Sequence, residues 1–379
     1  MSSRASAVID LDAIHRNLDV VQRRIGSSLV MPIVKADAYG HGMITVASAL
    51  RSWDVEWLGV ALAHEALDLR RSGDNGRILA WLWSPGDPDI VECVERDIDL
   101  AISSEWALRE VAAAARTIGR PARIHVKVDT GLTRNGVTME DLPGLVDEVV
   151  QAQDAGLVDF VGLWSHLADG EVEASASVTE QERLFAQAAD IVRDRGLRPR
   201  VTHLGNSGTV WTQAHWDFTL VRSGIALYGL TPGSSLGTSQ ELGIMPAMTL
   251  CARLANVKYV PAGTRVSYGG TWVSDRATTV GLVPVGYADG IPRSAGGLLE
   301  VAVGGRRVPI IGRVAMDQFV VDLGPQCQEV PGDEVVIFGP GSRGELTADD
   351  WADRLGTIGY EIVTRIGPRV PREYVGGAD

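Results

Sequence analysis

From residue 30 to about residue 230 the chain repeats one unit: a short apolar run, a polar or glycine-containing turn, then a stretch of helical periodicity. Eight runs can be read: VMPIVKA (30–36), VEWLGVA (55–61), RILAWLW (77–83), DLAIS (99–103), RIHVKVDT (123–130), LVDFVGLWSHL (157–167), VTHLGNS (201–207) and FTLVRSGIALYG (218–229). They are apolar throughout instead of alternating, as strands covered by helices on both faces require. Between them lie helix candidates such as EWALREVAAAARTIG (105–119) and VTEQERLFAQAADIVRDRG (178–196), the latter ending on Gly196 after a basic residue.

Eight β-α units in roughly 200 residues predict an α/β fold of the (β/α)8 TIM-like barrel type. The rival, a doubly wound open sheet, is weakened by the lack of a GxGxxG turn after the first strand. After residue 235 the texture changes to short β-branched runs between turn residues, such as ATTVGLVPVGYADG and LEVAVGGRRVPIIGRV, which read as a C-terminal mainly-β domain. The segment GSSLGTSQELG (233–243) marks the boundary, giving a barrel over 8–235 and a β-domain over 236–379, with residues 1–10 as a candidate addition to the latter.

Composition narrows the function classes. With 35 Lys+Arg against 48 Asp+Glu, the formal net charge of -13 repels phosphate backbones and anionic membrane surfaces, so neither nucleic acid nor a membrane is an expected partner. Asp10 and Asp12 interrupt any signal-peptide core, and no stretch approaches the ~20 apolar residues of a membrane span. The expected location is cytoplasmic. Cys93, Cys251 and Cys327 stand far apart without metal-ligand spacing and read as three unpaired thiols, so no metal is expected.

A barrel strand should be apolar, so polar residues at strand ends are informative. The first run ends in Lys35, the fifth leads into Arg134, the sixth ends in His166, the seventh in Asn206 and Ser207, and the eighth carries Arg222 with Gly224 and Ile225 behind it. Barrel enzymes build their sites at the C-terminal ends of the strands, so these groups are expected to converge on one mouth. Each has a bland reading as well: a lysine there can snorkel to the rim, a histidine can be a satisfied structural group, and an arginine can pair with a helix carboxylate. Desolvation at the mouth would lower the pKa of Lys35, as a Schiff-base lysine needs, and NSG (206–208) with the Gly224–Ile225 step could offer donors to a phosphate.

An ordered series of motifs resembles the alanine racemase family from about Val8 to Tyr374: VKADAYGHG (34–42), VDTGLTRNG (128–136), HLGNSG (203–208), VRSGIALYG (221–229), VSYGGTW (266–272), GYADG (286–290), GRVAMDQ (312–318) and GYEIVTRIGPRVPREY (359–374). The resemblance implies a barrel carrying pyridoxal 5'-phosphate (PLP), joined to a β-domain in a head-to-tail homodimer with shared active sites. It further implies an isomerase that interconverts L-alanine and D-alanine through an external aldimine of PLP, supplying D-alanine for peptidoglycan.

By position, Lys35 resembles the family's cofactor lysine and base for the D enantiomer, and Tyr268 the base for the L enantiomer. The proton must leave one face of a planar carbanion and return on the other, and one fixed base serves one face only. Arg134 matches the arginine that contacts the cofactor's phenolic oxygen and the substrate, and Lys127 the lysine whose carboxylated form holds it. Arg222 matches the arginine facing the pyridine nitrogen, with His203 as its partner. Tyr39, Ser207, Gly224, Ile225 and Tyr360 match phosphate-holding positions, Asn206 lies in the same segment, and His166 matches the residue beside the ring. Met316 and Asp317 resemble the segment that meets the substrate carboxylate from the other subunit, with Tyr287 at the entrance. Taken alone, GRVAMDQ also reads as a strand with a turn.

Thr133, Ala315 and Gly359 stand where many members have Gly, Cys and Asn, and SHLADGE (165–171) is an unusual segment. None removes a catalytic group, but each bears on substrate range. The alternatives are a broad-specificity, serine or lysine racemase of the same fold, a basic amino-acid decarboxylase, and a non-catalytic PLP-carrier protein. Arg222 argues against the decarboxylase, whose counterpart is a glutamate, and the carrier would need neither Tyr268 nor the β-domain.

Overall fold

The computed structural model describes residues 4–213 and 218–377; the outer ends of the two spans read from the sequence, residues 1–3 and 378–379, lie outside the described residues. Each of the eight apolar runs contains a strand. After a first strand, β1 (Ala5–Asp10), these are β2 (Leu29–Pro32), β3 (Trp57–Leu62), β4 (Arg77–Leu82), β5 (Asp99–Ile102), β6 (Ala122–Lys127), β7 (Val158–Trp164), β8 (Val201–His203) and β9 (Leu220–Ser223). Strands β3 to β8 form one parallel sheet in sequence order, and β2 pairs with β9. An Ile33–Gly59 bridge joins β2 to β3. On the other seam, Thr202 N donates to Thr219 Oγ1 at 2.7 Å and Arg222 N donates to the Gly205 carbonyl at 3.1 Å. The sheet is thereby closed into a barrel.

Helices follow the strands for the reasons the sequence suggests. In Glu105–Ile118 the residues Ala107, Leu108, Val111, Ala112, Ala114 and Ala115 are buried, a spacing that lays one face on the sheet. This helix stops at Gly119 in the left-handed conformation, which costs glycine little. Helix Ala176–Asp194 begins under Ser175, whose side chain accepts from Val178 N, and ends before Gly196. Among the described residues, no helix is long and apolar enough to cross a membrane.

The second half contributes ten strands, β10 (Met248–Arg253), β11 (Asn256–Val260), β12 (Arg265–Val266), β13 (Trp272–Val273), β14 (Thr278–Val283), β15 (Glu300–Val303), β16 (Arg306–Ile311), β17 (Phe319–Gly324), β18 (Glu334–Phe338) and β19 (Arg372–Val375), of which eight join β1 in a nine-stranded sheet. The order is β11-β14-β17-β16-β15-β18-β10-β1-β19, with β12 and β13 as a separate hairpin. Strand β1 runs antiparallel to β10 and parallel to β19, so the start of the chain is built into this sheet. Besides the four-residue helix Ser239–Leu242, the β-rich texture of this half conceals, among the described residues, two helices, Ala348–Leu355 and Gly359–Thr364. The first is opened by a reciprocal Thr347–Asp350 cap and buries Trp351 completely; at eight residues it is too short to show a clear helical period in the sequence.

Candidate active site

Lys35 follows β2, and the backbone after it takes an uncommon course. Ala36, Asp37, Ala38 and Tyr39 all have φ between 52° and 55°, forming one left-handed turn made without glycine. Each such residue costs about 1–2 kcal/mol, so the turn must be held from outside. Glu65 does much of this. Its Oε1 accepts from Ala36 N at 2.7 Å, while Oε2 accepts from Ala61 N and Leu62 N at 3.0 Å each. Asp37 closes the far end by accepting from Met43 N at 2.8 Å. The turn brings the Tyr39 ring back beneath Lys35, whose Nζ lies 5.9 Å from that ring and 5.8 Å from Trp81.

Arg222, on β9, is 5 % exposed and, among the described residues, its hydrogen bonds go to carbonyls and imidazoles with no carboxylate partner. Its Nη1 donates to His203 Nδ1 at 3.0 Å and to the His203 carbonyl at 2.9 Å. Its Nη2 donates to the carbonyls of Ser165 (2.7 Å) and Leu204 (3.3 Å) and to His166 Nδ1 (3.1 Å). The guanidinium lies 4.8 Å from the Trp164 ring centre, and burial pulls its pKa down to about 9. Beside it, Lys127 at the end of β6 is almost fully buried and, among the described residues, has no hydrogen bond or ion pair; its Nζ rests 4.5 Å from Trp164. Burial, then Arg222 and Arg134, lowers the Lys127 pKa to about 8.

These groups share one cavity of about 260 Å³ at the C-terminal mouth of the barrel. Lys35, Tyr39, Lys127, Arg134, His166, Asn206, Ser207, Arg222, Gly224, Ile225 and Tyr360 all line it, so the residues read from the barrel strands converge as expected. Four are cations, and Glu171 is the single carboxylate among the lining residues. Burial, then Arg134, lowers the pKa of Lys35, partly countered by Glu65. Burial, followed by Arg222 and the other cations, pulls His166 down to about 2, so this imidazole stays neutral. Burial raises the phenols of Tyr39 and Tyr360, which therefore remain hydrogen-bond donors. Ser207 Oγ accepts from Gly224 N at 2.8 Å. His203 lies in the wall behind Arg222.

Four further site residues read from the sequence are elsewhere. Tyr268, Tyr287, Met316 and Asp317 lie on the β-domain and do not line the cavity of their own chain. Tyr268 is 71 % exposed and Met316 53 %. The segments that carry them are tied together. Tyr287 N donates to the Ala315 carbonyl at 3.0 Å, Ala288 N to the Met316 carbonyl at 2.9 Å, and Ser267 Oγ to the Arg313 carbonyl at 2.6 Å. Arg369 pairs with Asp317 at 2.7 Å and reaches Asp289 at 3.3 Å. Sequence reasoning did not single out Trp81, Trp164 or Glu65; the first two look like ordinary strand residues, and Glu65 looks like one more helix carboxylate.

A barrel mouth that gathers an amine of lowered pKa, a buried arginine and a hydroxyl-rich cradle in one cavity defines an enzyme site for a small anionic ligand. Two family models match the chain: alanine racemase, N-terminal domain, over residues 9–232, and alanine racemase, C-terminal domain, over residues 247–374. The chain belongs to the alanine racemase family. It is 48 % identical to the alanine racemase of Frankia casuarinae over 98 % of this chain and 96 % of that protein, and 49 % identical to that of Beutenbergia cavernae over the whole of both. Its fold superimposes on the crystal structure of alanine racemase from a D-cycloserine-producing Streptomyces lavendulae with a TM-score of 0.97, at 48 % identity, covering 100 % of this chain and 98 % of that one. The Streptomyces coelicolor enzyme gives 0.95 at 48 % identity, with 98 % of each chain covered.

Proposed function

We propose that this protein racemises alanine with pyridoxal phosphate as its cofactor, as a homodimer whose sites each draw on both chains. The observation that carries the reading is the single cavity in which Lys35, Arg222 and the Tyr39–Ser207–Gly224 cradle meet. Near-half identity to alanine racemases over the full chain supports it.

The residues fit such a cofactor. A planar, phosphate-bearing ring calls for cationic surroundings, donors at one end and space close to the backbone, and the cavity supplies Lys35, Arg134 and Arg222, the Tyr39 and Tyr360 hydroxyls, and a glycine at 224. Ser207, Asn206, Gly224, Ile225, Tyr39 and Tyr360 would hold the phosphate end. Among the described residues none of the hydrogen bonds of Arg222 uses Nε, so that N–H could reach the ring nitrogen, and His166 would flank the ring. When bound, pyridoxal phosphate supplies a sink for the electron pair left at Cα as the proton departs.

Lys35 Nζ, with its lowered pKa, takes or returns the Cα proton on one face, that of the D enantiomer. Tyr268 Oη serves the opposite face, that of the L enantiomer. Because Tyr268 stands exposed and outside its own chain's cavity, we assign it to the cavity of a second copy, and Tyr287, Met316 and Asp317 arrive with it on the same tied segments. There Met316 and Asp317 meet the substrate carboxylate together with Arg134, and Tyr287 narrows the entrance toward a side chain as small as alanine's. Arg222, whose pKa of about 9 keeps it cationic at neutral pH, would face the ring nitrogen, disfavour a proton there and so limit side reactions.

Lys127 is assigned as carboxylated. A pKa of about 8 leaves enough neutral amine to add carbon dioxide, and the product places an anion among Lys35, Arg134 and Arg222. On the family likeness we also assign the protein to the cytoplasm, its product to peptidoglycan precursors, and the domain division to residues 8–235 and 236–379, with strand β1 (Ala5–Asp10) going with the latter.

The test is chiral analysis of L-alanine incubated in heavy water with wild type, Lys35→Ala and Tyr268→Phe. Deuterated D-alanine from wild type, lost in both variants, is the expected result. Wild type that binds the cofactor yet exchanges nothing would transfer the reading to another substrate or to a carrier protein.

A further inference from the structure

Behind Arg222 a row of buried side chains runs through the barrel interior. His203 Nδ1 receives Arg222 Nη1 at 3.0 Å, and His203 Nε2 lies 3.0 Å from His125 Nδ1. His125 Nε2 lies 3.1 Å from Asp99 Oδ2. His203, His125 and Asp99 are each 0 % exposed. They come from β8, β6 and β5, so the row crosses the barrel instead of following one strand. Its far end is fixed by two arginines: Arg77 donates to Asp99 Oδ2 at 2.6 Å and Arg123 to Oδ1 at 2.6 Å. The imidazoles are clamped as well, His203 by the Trp164 ring stacked at 5.3 Å and His125 by the edge of Trp57 at 5.5 Å.

Hydrogen-bond chemistry leaves this row one direction. A guanidinium only donates, so His203 Nδ1 must be a lone pair and its proton must sit on Nε2. That N–H points at His125 Nδ1, which must therefore be a lone pair, and His125 carries its proton on Nε2. The last N–H points at a carboxylate, which only accepts. Both imidazoles are neutral, their pKa values lowered first by burial. In the reverse arrangement Arg222 would face an N–H across 3.0 Å, and the His125 lone pair would face Asp99.

We propose that Asp99 and His125 are positioning residues for the reaction: as the accepting end of this row they fix the proton of His203 on Nε2, so that Nδ1 stays open to Arg222 and holds the guanidinium against the cofactor site. Among the described residues the row ends on Asp99, whose charge Arg77 and Arg123 already balance, so what Asp99 gives Arg222 is the proton order of the two imidazoles and not a counter-charge. The purpose of Arg222 rests on the reading above, whereas the proton order of the row does not.

The experiment is ring-15N NMR of histidine-labelled, cofactor-loaded wild type and Asp99→Asn, with His203 and His125 signals assigned by single His→Gln variants, alongside kinetics. Wild type should show protonated Nε2 and unprotonated Nδ1 at both rings. In Asp99→Asn the amide can donate to His125, so a fraction of His203 should gain a proton on Nδ1. There kcat and kcat/KM for L-alanine should fall together, on the order of tenfold, while bound cofactor is retained. A wild-type spectrum with His203 protonated on Nδ1 would overturn the proposal even if no variant folds. So would an Asp99→Asn enzyme with unchanged ring signals and unchanged kcat. Loss of all alanine exchange in wild type, with the proton order intact, would instead overturn the racemase reading alone.

Discussion

The α-carbon of Gly224 packs so tightly against the Tyr39 hydroxyl that a methyl group added there would collide with it. The two residues come from opposite ends of the barrel sequence, one after β9 and one in the left-handed turn after β2, and both line the cavity. Gly224→Ala must push the phenol out of the cradle. It should weaken cofactor binding by about tenfold or more, as overpacking by one methyl costs about 1–3 kcal/mol. Fluorescence titration with pyridoxal phosphate checks this, and equal affinity in wild type and variant would count against the cradle.

Glu65 presents its two carboxylate oxygens to three amides, one of them the residue next to Lys35. Glu65→Ala leaves all three unpaired beside a strained turn, and a buried unpaired amide costs about 1–3 kcal/mol. Urea unfolding at fixed protein concentration should show a lower midpoint with an unchanged slope. Glu65→Gln keeps one accepting oxygen and should lose less. Equal midpoints in all three proteins would mean that the turn is held by other contacts.

Lys127 gives a pH dependence with a definite sign. Its folded pKa of about 8 lies below the ordinary 10.5, so between these values the unfolded chain binds more protons. In bicarbonate-free buffer the charged amine therefore lowers stability below pH 8, and the cost fades as pH rises from 8 to 10.5. Lys127→Met should remove that part of the slope. In 13C-bicarbonate, a carbamate signal should grow as pH rises through about 8 in wild type and be absent from Lys127→Met; no signal at any pH would leave the lysine unmodified.

Much of this site is legible in the chain because barrel strands are covered on both faces. Any polar residue at such a strand's end stands out, as Lys35, His166 and Arg222 do. The eight runs are found for the same reason. The left-handed turn at 36–39 is invisible because two alanines, an aspartate and a tyrosine carry no glycine signal, and the contacts that hold it come from Glu65, far along the chain. Asp99 and His125 read as the polar fringe of two ordinary strands: β5 and β6 are neighbours, but the link that gives the pair its meaning, from His125 over β7 to His203 on β8, depends on side-chain direction inside the barrel. Helix Ala348–Leu355 escapes because its eight residues, with Ala348, Trp351 and Ala352 as the buried face, are too few to show a helical period.

If Lys35 of one chain works with Tyr268 of another, mixed dimers of the two variants must recover activity. Lys35→Ala and Tyr268→Phe subunits, each inactive alone, would be co-expressed with different tags, and D-alanine formation from L-alanine measured on the purified mixture. Random pairing makes half the dimers mixed, each with one intact site of two, so the account predicts about a quarter of wild-type activity. If both groups act within one chain, or if either is dispensable, the mixture would show no recovery above its parent proteins, and that result would contradict the account.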